Sequence, residues 1–431
     1  MKTNVKVLFL SLISLSLAGC NTSGYEGGGW YKPEGKGTGD DEYALPTTPG
    51  SGAPAASAAA GSEKPGDSAG DEGSINPQSS HYQIPAGQIT ASALDDNKYY
   101  DYWKELLGDA QNYGPFYHYR KTDDFVSQNR VSLTINNAND AYVTIKNESK
   151  VYHVNNFHKA YLFPKNVSEE YEVTISYKDA QGNRKNVDKV VKDNDVIDLD
   201  GEYTTSKNLE IMFVIDATGS MSDEMRYLKA EINDVIGKVR EANEGSTVSL
   251  AMMVYRDVRD EYVTRYSDFT ENIADQQEFL SRQNAAGGGD IEEAVETALD
   301  EAINKQWSAD STKLLFHVAD APAHEKDADI RKWSNAIDKA AEKGISVMSV
   351  AASGIDKRTE FYFRSQSLIT GGQYIFITDD SGIGNSHEKP TIQEKLTVEY
   401  LNQCIIRLIN GYHTGNLEAP VPYTQVNNQQ Q

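Results

Sequence analysis

The sequence predicts an α/β protein, with a doubly wound, Rossmann-like parallel sheet over residues 207–413 preceded by a small all-β module over 128–204. Three observations carry that reading. From Leu209 onward, near-continuous apolar runs alternate with segments of helical period, the pattern of parallel strands covered on both faces. Between Val131 and Tyr177 the apolar period is two, with turn signals at close spacing. At 431 residues, 39% hydrophobic and 10% aromatic, the chain is long and apolar enough for two or three domains with real cores.

The first twenty residues combine Lys2 and Lys6 with the apolar run Val7–Leu17 and then Ala18-Gly19-Cys20, a secretory signal too short to span a membrane. Leu17-Ala18-Gly19-Cys20 resembles the bacterial lipobox, which implies cleavage before Cys20, lipidation of its thiol and an anchor in the cell envelope at the outer membrane or surface. Each buried methylene of such an anchor contributes about 0.8 kcal/mol, so acyl chains replace a transmembrane helix. Residues 21–85 follow as a disordered tether. The stretch 21–80 holds 13 of the 33 glycines, 6 of the 13 prolines and a net charge of −6, and it cannot bury enough apolar area to offset its chain entropy. Its r.m.s. reach is roughly 40–45 Å. Only Cys20 and Cys404 occur, which excludes a disulfide-stapled scaffold and a Cys-rich zinc site.

Residues 86–127 read as a Tyr-rich helical connector, from Leu94 through Tyr99-Tyr100-Asp101-Tyr102-Trp103 to a Gly114-Pro115 turn. Next, Val131, Leu133, Ile135 and later Val173, Ile175, Tyr177 alternate with polar residues, as expected for an immunoglobulin-like or transthyretin-like β-sandwich. From Leu209 the expected order is strand 209–215, a helix through Met225 and Val239, strand 248–254, a helix from Ile291 to Ile303, strand 313–319, helix 330–343, strand 345–350, a short helix near Phe361, strand 374–377 and a last helix from Ile392 to Ile409. The tail from 414 to 431 is expected to be disordered.

In an open parallel sheet ligands bind beyond the carboxyl ends of the strands. There the first strand delivers Asp216-Ala217-Thr218-Gly219-Ser220, one carboxylate and two hydroxyls at alternate positions of a turn. Two further strand-end loops bring Gly287-Gly288-Gly289-Asp290 and Asp320. Oxygen donors of this kind suit Mg²⁺, or Mn²⁺ or Ca²⁺, and the crowded carboxylates would repel one another without a cation.

Asp216-x-Thr218-x-Ser220 with a later ligand loop and Asp320 resembles the metal-ion-dependent adhesion site of von Willebrand factor A domains. Tyr255-Arg256-Asp257, Gly287-Gly288-Gly289-Asp290 and Thr370-Gly371-Gly372-Gln373-Tyr374 add bacterial features of that family, and the resemblance covers about 207–413. It implies that Thr218 and Ser220 bind metal directly, that Asp216 and Asp320 do so directly or through water, and that Asp290 stands where integrin-type sites have Thr. It further implies recognition of a protein ligand, whose acidic side chain completes the metal shell, and a last helix able to slide as a switch.

The net charge of −23 excludes a generic nucleic-acid binder. An enzyme is not expected. A metal-dependent hydrolase would need a base, and His317 lies inside a strand while His324 stands alone. Thr218-Gly219-Ser220-Met221-Ser222 lacks both glycines of a nucleophile elbow, Thr218 stands where a haloacid-dehalogenase-type phosphotransferase has a second Asp, and no Gly-Lys-Ser/Thr phosphate loop occurs. The reading is therefore a membrane-anchored protein that binds another protein in adhesion, or one that serves as a subunit of an envelope assembly.

Overall fold

The computed structural model describes residues 84–109, 111–119, 127–384, 386–387 and 389–427. The expected signal, Cys20 and nearly all of the tether lie outside them. In chain order the elements are β1 (Thr90–Leu94) and α1 (Tyr100–Leu107), then β2 (Val131–Asn136), β3 (Asn139–Ile145), β4 (Val151–His153), β5 (Lys159–Leu162), β6 (Tyr171–Lys178), β7 (Arg184–Val191) and β8 (Val196–Asp198). They continue as β9 (Asn208–Asp216), α2 (Met225–Ala242), β10 (Thr247–Tyr255), β11 (Thr264–Thr270), α3 (Ile273–Ser281), α4 (Val295–Ile303), β12 (Thr312–Ala319) and α5 (Asp327–Glu342). The last are β13 (Ile345–Ala351), α6 (Lys357–Thr370), β14 (Tyr374–Ile377), β15 (Glu399–Tyr400), α7 (Leu401–Thr414) and α8 (Tyr423–Asn427).

The main sheet has eight strands in the order β11-β10-β9-β12-β13-β14-β1-β15. The five from β10 to β14 are parallel, while β11, β1 and β15 add antiparallel edges. The apolar runs are explained by burial on both faces. Leu209, Ile211, Phe213 and Ile215 of β9 join one buried cluster with Leu228, Ile232 and Val239 of α2 and Cys404, Ile405 and Leu408 of α7. The intervening Met212 and Val214 join the other, with Leu299 of α4, Trp333 of α5 and Phe361 of α6. A strand that must feed two cores has no polar face to show.

The period-two segment forms two small sheets, β5-β2-β8 and β4-β3-β6-β7. Their inward residues, such as Leu133, Ile135, Val143 and Ile175, belong to the same buried cluster as Trp103 of α1 and the α4–α6 face of the main sheet. Lys150 and Asp338 of α5 form an ion pair at 2.7 Å across that junction.

Several boundaries differ from expectation. The connector 86–127 is not purely helical, because Thr90–Leu94 pairs with β14 and β15 inside the main sheet. The main sheet is thus discontinuous in sequence, with the two small sheets inserted between β1 and β9. Entry into β1 is fixed by buried Glu231 of α2, whose carboxylate accepts the backbone N–H groups of Gly87, Gln88 and Ile89 at 2.8, 2.7 and 3.0 Å. The last helix starts at Leu401, not Ile392, because Glu399 and Tyr400 are drawn into pairing with β1 and Leu401 N–H donates to Ile89. The residues from 414 onward, expected to be disordered, carry α8, where Tyr423 N–H donates to Val398. Among the described residues no helix is long and apolar enough to cross a membrane.

Candidate metal centre

The centre sits at the carboxyl end of β9, between the loops that leave its two parallel neighbours β10 and β12. Asp216 is the last residue of β9 and is fully buried. The chain turns so tightly after it that Asp216 Oδ1 accepts both the backbone N–H and the hydroxyl of Thr218, at 2.8 and 2.7 Å. Thr218 Oγ1 lies 3.2 Å from Ser220 Oγ, which opens a short 3₁₀ turn ahead of α2. The three donors expected from the first loop therefore face one spot.

The loop 282–294 is knitted onto this turn. Gly219 N–H donates to Gly287, Ala286 N–H to Ala217, and the Arg256 guanidinium bonds the carbonyls of Ala217 and Asn284. Gly287 and Gly288 have φ of +83° and +75°, and Gly288 N–H reaches Asp260 Oδ2 at 2.8 Å. A Cβ at 287 would lie 2.3 Å from the Asp260 carboxylate, and one at 288 would lie 2.8 Å from Glu293 Oε1. The glycine run thus leaves the room that the Asp260 and Glu293 carboxylates occupy.

The predicted residues divide accordingly. Asp216, Thr218 and Ser220 are brought together, and Asp320, which immediately follows β12, receives a hydrogen bond from Ser220. Asp290 is exposed, and among the described residues no hydrogen bond or ion pair joins it to the other four. The second loop instead contributes Glu293, which is 3% exposed. The expected helix start at Ile291 had hidden it. Residues 291–294 are extended enough for Glu293 to pair with Ala323 and donate its N–H to Pro322, and α4 begins only at Val295.

The electrostatics are those of carboxylates short of countercharge. Burial, then the Asp320 charge, raises Asp216 to about 7. Burial, partly offset by the Ser220 hydrogen bond, raises Asp320 to about 6. Burial, then Asp216, Asp257, Asp260 and Asp320, raises Glu293 to about 9. Asp216 Oδ2, Asp320 Oδ1 and Glu293 Oε2 are buried without a hydrogen-bond partner. Unpaired buried carboxylate oxygens beside two hydroxyls fit a hard divalent cation. Among the described residues no group of three or more His, Cys, Asp or Glu side chains is gathered as a ready metal site.

Behind Asp216 runs a buried polar chain that the sequence did not reveal. The Tyr255 hydroxyl is close enough to Asp216 to lower its pKa. His317 Nε2 lies 3.0 Å from that hydroxyl, and Gln366 Nε2 lies 2.9 Å from His317 Nδ1. An amide nitrogen only donates, so Nδ1 accepts, the imidazole proton sits on Nε2, and the tyrosine O–H is left free to turn toward the Asp216 side. Burial pushes His317 down to about 3, which keeps the ring neutral. Gln366 Nε2 also donates to Ser349 Oγ at 2.8 Å, and Ser349 Oγ to Phe363, carrying the chain into α6. His324, the other candidate base, is instead held between Asp257 at 3.0 Å and Glu296 at 3.3 Å.

The family model described as von Willebrand factor A domain matches residues 210–379. An "Alpha-protein kinase vwkA" of Dictyostelium discoideum is 25% identical over 225 residues, 51% of this chain and 36% of that protein. A "Putative ariadne-like RING finger protein R811" of Acanthamoeba polyphaga mimivirus is 25% identical over 185 residues, 39% of this chain and 18% of that protein. The chain thus spans well under half the length of either relative. The crystal structure of conserved hypothetical protein BatB from Bacteroides thetaiotaomicron overlays with a TM-score of 0.34 at 13% identity, covering 47% of this chain and 98% of that one. Residues 210–379 thus match the von Willebrand factor A domain, and domains of that kind generally mediate protein–protein interaction.

Proposed function

We propose that the protein recognises a protein partner through a divalent cation, Mg²⁺ or a similar ion, held at the carboxyl end of β9. The observation that carries this reading is the set of three buried, unpartnered carboxylate oxygens, of Asp216, Glu293 and Asp320, beside the hydroxyls of Thr218 and Ser220. Those five side chains would hold the ion, directly or through water, with Glu293 in place of Asp290. When bound, the cation supplies a positive charge to which an oxygen of the partner can add. The chain's own residues do the rest. Thr218 N–H and Oγ1 aim Asp216, Tyr255 lies near it, and the glycine run leaves room for the Glu293 carboxylate.

Within this reading the protein is a binding module and not an enzyme, since His317 is a neutral part of the buried chain and His324 is engaged by two carboxylates. Cys20 carries the lipid anchor, residues 21–85 form the tether, and the two small sheets are a β-sandwich that spaces the site from the envelope membrane. Asp216→Ala should abolish Mg²⁺ binding in calorimetric titration with little change in the circular-dichroism melt, because the substitution relieves carboxylate repulsion while it removes a ligand. Unchanged titration would overturn the site. Pull-downs from envelope extract with and without chelator then test the partner: capture insensitive to chelator would refute metal-mediated recognition.

A further inference from the structure

At the opposite end of the main sheet, where β9 and β12 begin, a cleft of about 480 Å³ lies between the small sheets and the main sheet. Its charged lining is four lysines, Lys159, Lys178, Lys207 and Lys313, against Asp140 and Asp310. In a chain of net charge −23 this is a local reversal of sign. Asp140 is already taken by Lys178 at 3.0 Å and by Arg184. Lys159 donates to Thr134 Oγ1 at 2.7 Å.

Lys313 is the unusual member. It is the second residue of β12 and only 9% exposed. Its ammonium meets nothing better than the carbonyls of Ser311 at 3.3 Å and Ala309 at 3.4 Å, both at the edge of hydrogen-bond range. Glu210, opposite it on the adjacent strand, acts on it through space, and Ser308 and Ser311 hydrogen-bond to the Glu210 carboxylate. A buried ammonium without an ion pair is expensive, and the cost is met when a bound anion completes its shell. Burial holds the Lys313 pKa below the usual lysine value, as a group waiting for a countercharge would be. The cleft wall is firm: Asn156 donates to Thr312 Oγ1 and to the carbonyls of Tyr412 and His413.

We propose that this cleft binds a small polyhydroxylated acid, a sugar-sized molecule bearing a carboxylate or a phosphate, with Lys313 as its anion ligand. The volume matches ligands of that size, and clefts at module junctions are common ligand sites. Tyr161 and Tyr203 also line the cleft, as do the hydroxyl-bearing side chains of Thr204, Thr205 and Ser206. The site is independent of the metal centre.

The test is calorimetric titration of the full chain with glucuronate and glucose 6-phosphate, with glucose as the neutral control and inorganic phosphate as the bare anion. One-to-one binding of an acid sugar, without binding of glucose, is expected, and which acid binds more tightly separates the carboxylate from the phosphate source. Lys313→Met should weaken that binding at least tenfold, raise or preserve the melting temperature, and leave Mg²⁺ titration unchanged, while Lys313→Arg should retain most of the affinity. If Lys313→Met fails to fold, Thr205→Trp blocks the cleft from an exposed position and should abolish binding. The proposal is overturned if neither acid sugar binds at millimolar concentration, or if binding survives either substitution.

Discussion

Replacing Glu293 with Gln separates the two candidate ligands of the second loop. Glu293 is 3% exposed and held at about 9 by burial and by four neighbouring aspartates. At pH 7.5 it therefore keeps a proton that an incoming cation must displace. A gap of about 1.5 units corresponds to about 2 kcal/mol, or roughly thirtyfold in apparent affinity, at 1.36 kcal/mol per unit. Wild-type Mg²⁺ affinity should accordingly climb between pH 7 and 9, with a proton released from Glu293 on binding. In Glu293→Gln that proton is absent, so the slope of log affinity against pH in this window should fall by about one, and the titration curves of the two proteins should diverge most at pH 9. Calorimetry in two buffers of different ionisation enthalpy counts the protons directly. An unchanged slope and proton count would show that Glu293 does not face the cation. The companion substitution Asp290→Asn, at an exposed position, should leave both quantities as in wild type.

The same carboxylates set the stability of the metal-free protein. Asp216 is raised from 3.8 to about 7, so between those values the folded state holds a proton that the unfolded chain has lost. Stability should fall as pH rises from about 4 through about 7, and saturating Mg²⁺ should remove the fall; thermal melts across pH with and without the ion check it, and a metal-free melt that rises over this range would contradict the crowding. Tyr255→Phe should weaken Mg²⁺ affinity about tenfold by freeing Asp216 to rotate, as loss of a buried supporting group does at metal sites. An affinity equal to wild type would mean that the Tyr255–His317–Gln366 chain is only structural. Asp96→Ala should destabilise the fold by about 3–5 kcal/mol in urea titration, because it leaves the fully buried Arg364 with half of its paired charge. A loss below about 1 kcal/mol would show that Glu360 and the Thr391 carbonyl suffice.

Local chemistry carried much of this protein in plain view. The apolar runs at 209–215, 313–319 and 345–350 announce parallel strands because a strand between two cores must be apolar on both faces. Asp216-x-Thr218-x-Ser220 announces oxygen ligands because alternate residues of a tight turn share a face, and here they are linked by bonds of 2.7 and 3.2 Å. What remained hidden depends on contacts between residues far apart in the chain. β1 is a five-residue run with no helical or alternating signature, and it becomes a strand only because β14 and β15 receive it. The helix α6 is buried nearly all round, with Glu360, Arg364 and Gln366 inside, so it has no amphipathic stripe to read. Its polar residues are tolerated because Asp96 and His317 meet them. Glu293 was obscured by four residues of helix boundary, since sequence period cannot locate a helix start that a bridge to Ala323 delays. The residues by themselves determined that the chain is an α/β protein with hard oxygen donors at one strand end. Only the tertiary structure decided which second-loop carboxylate is buried, because burial and long-range pairing belong to the packed chain and not to any window of it.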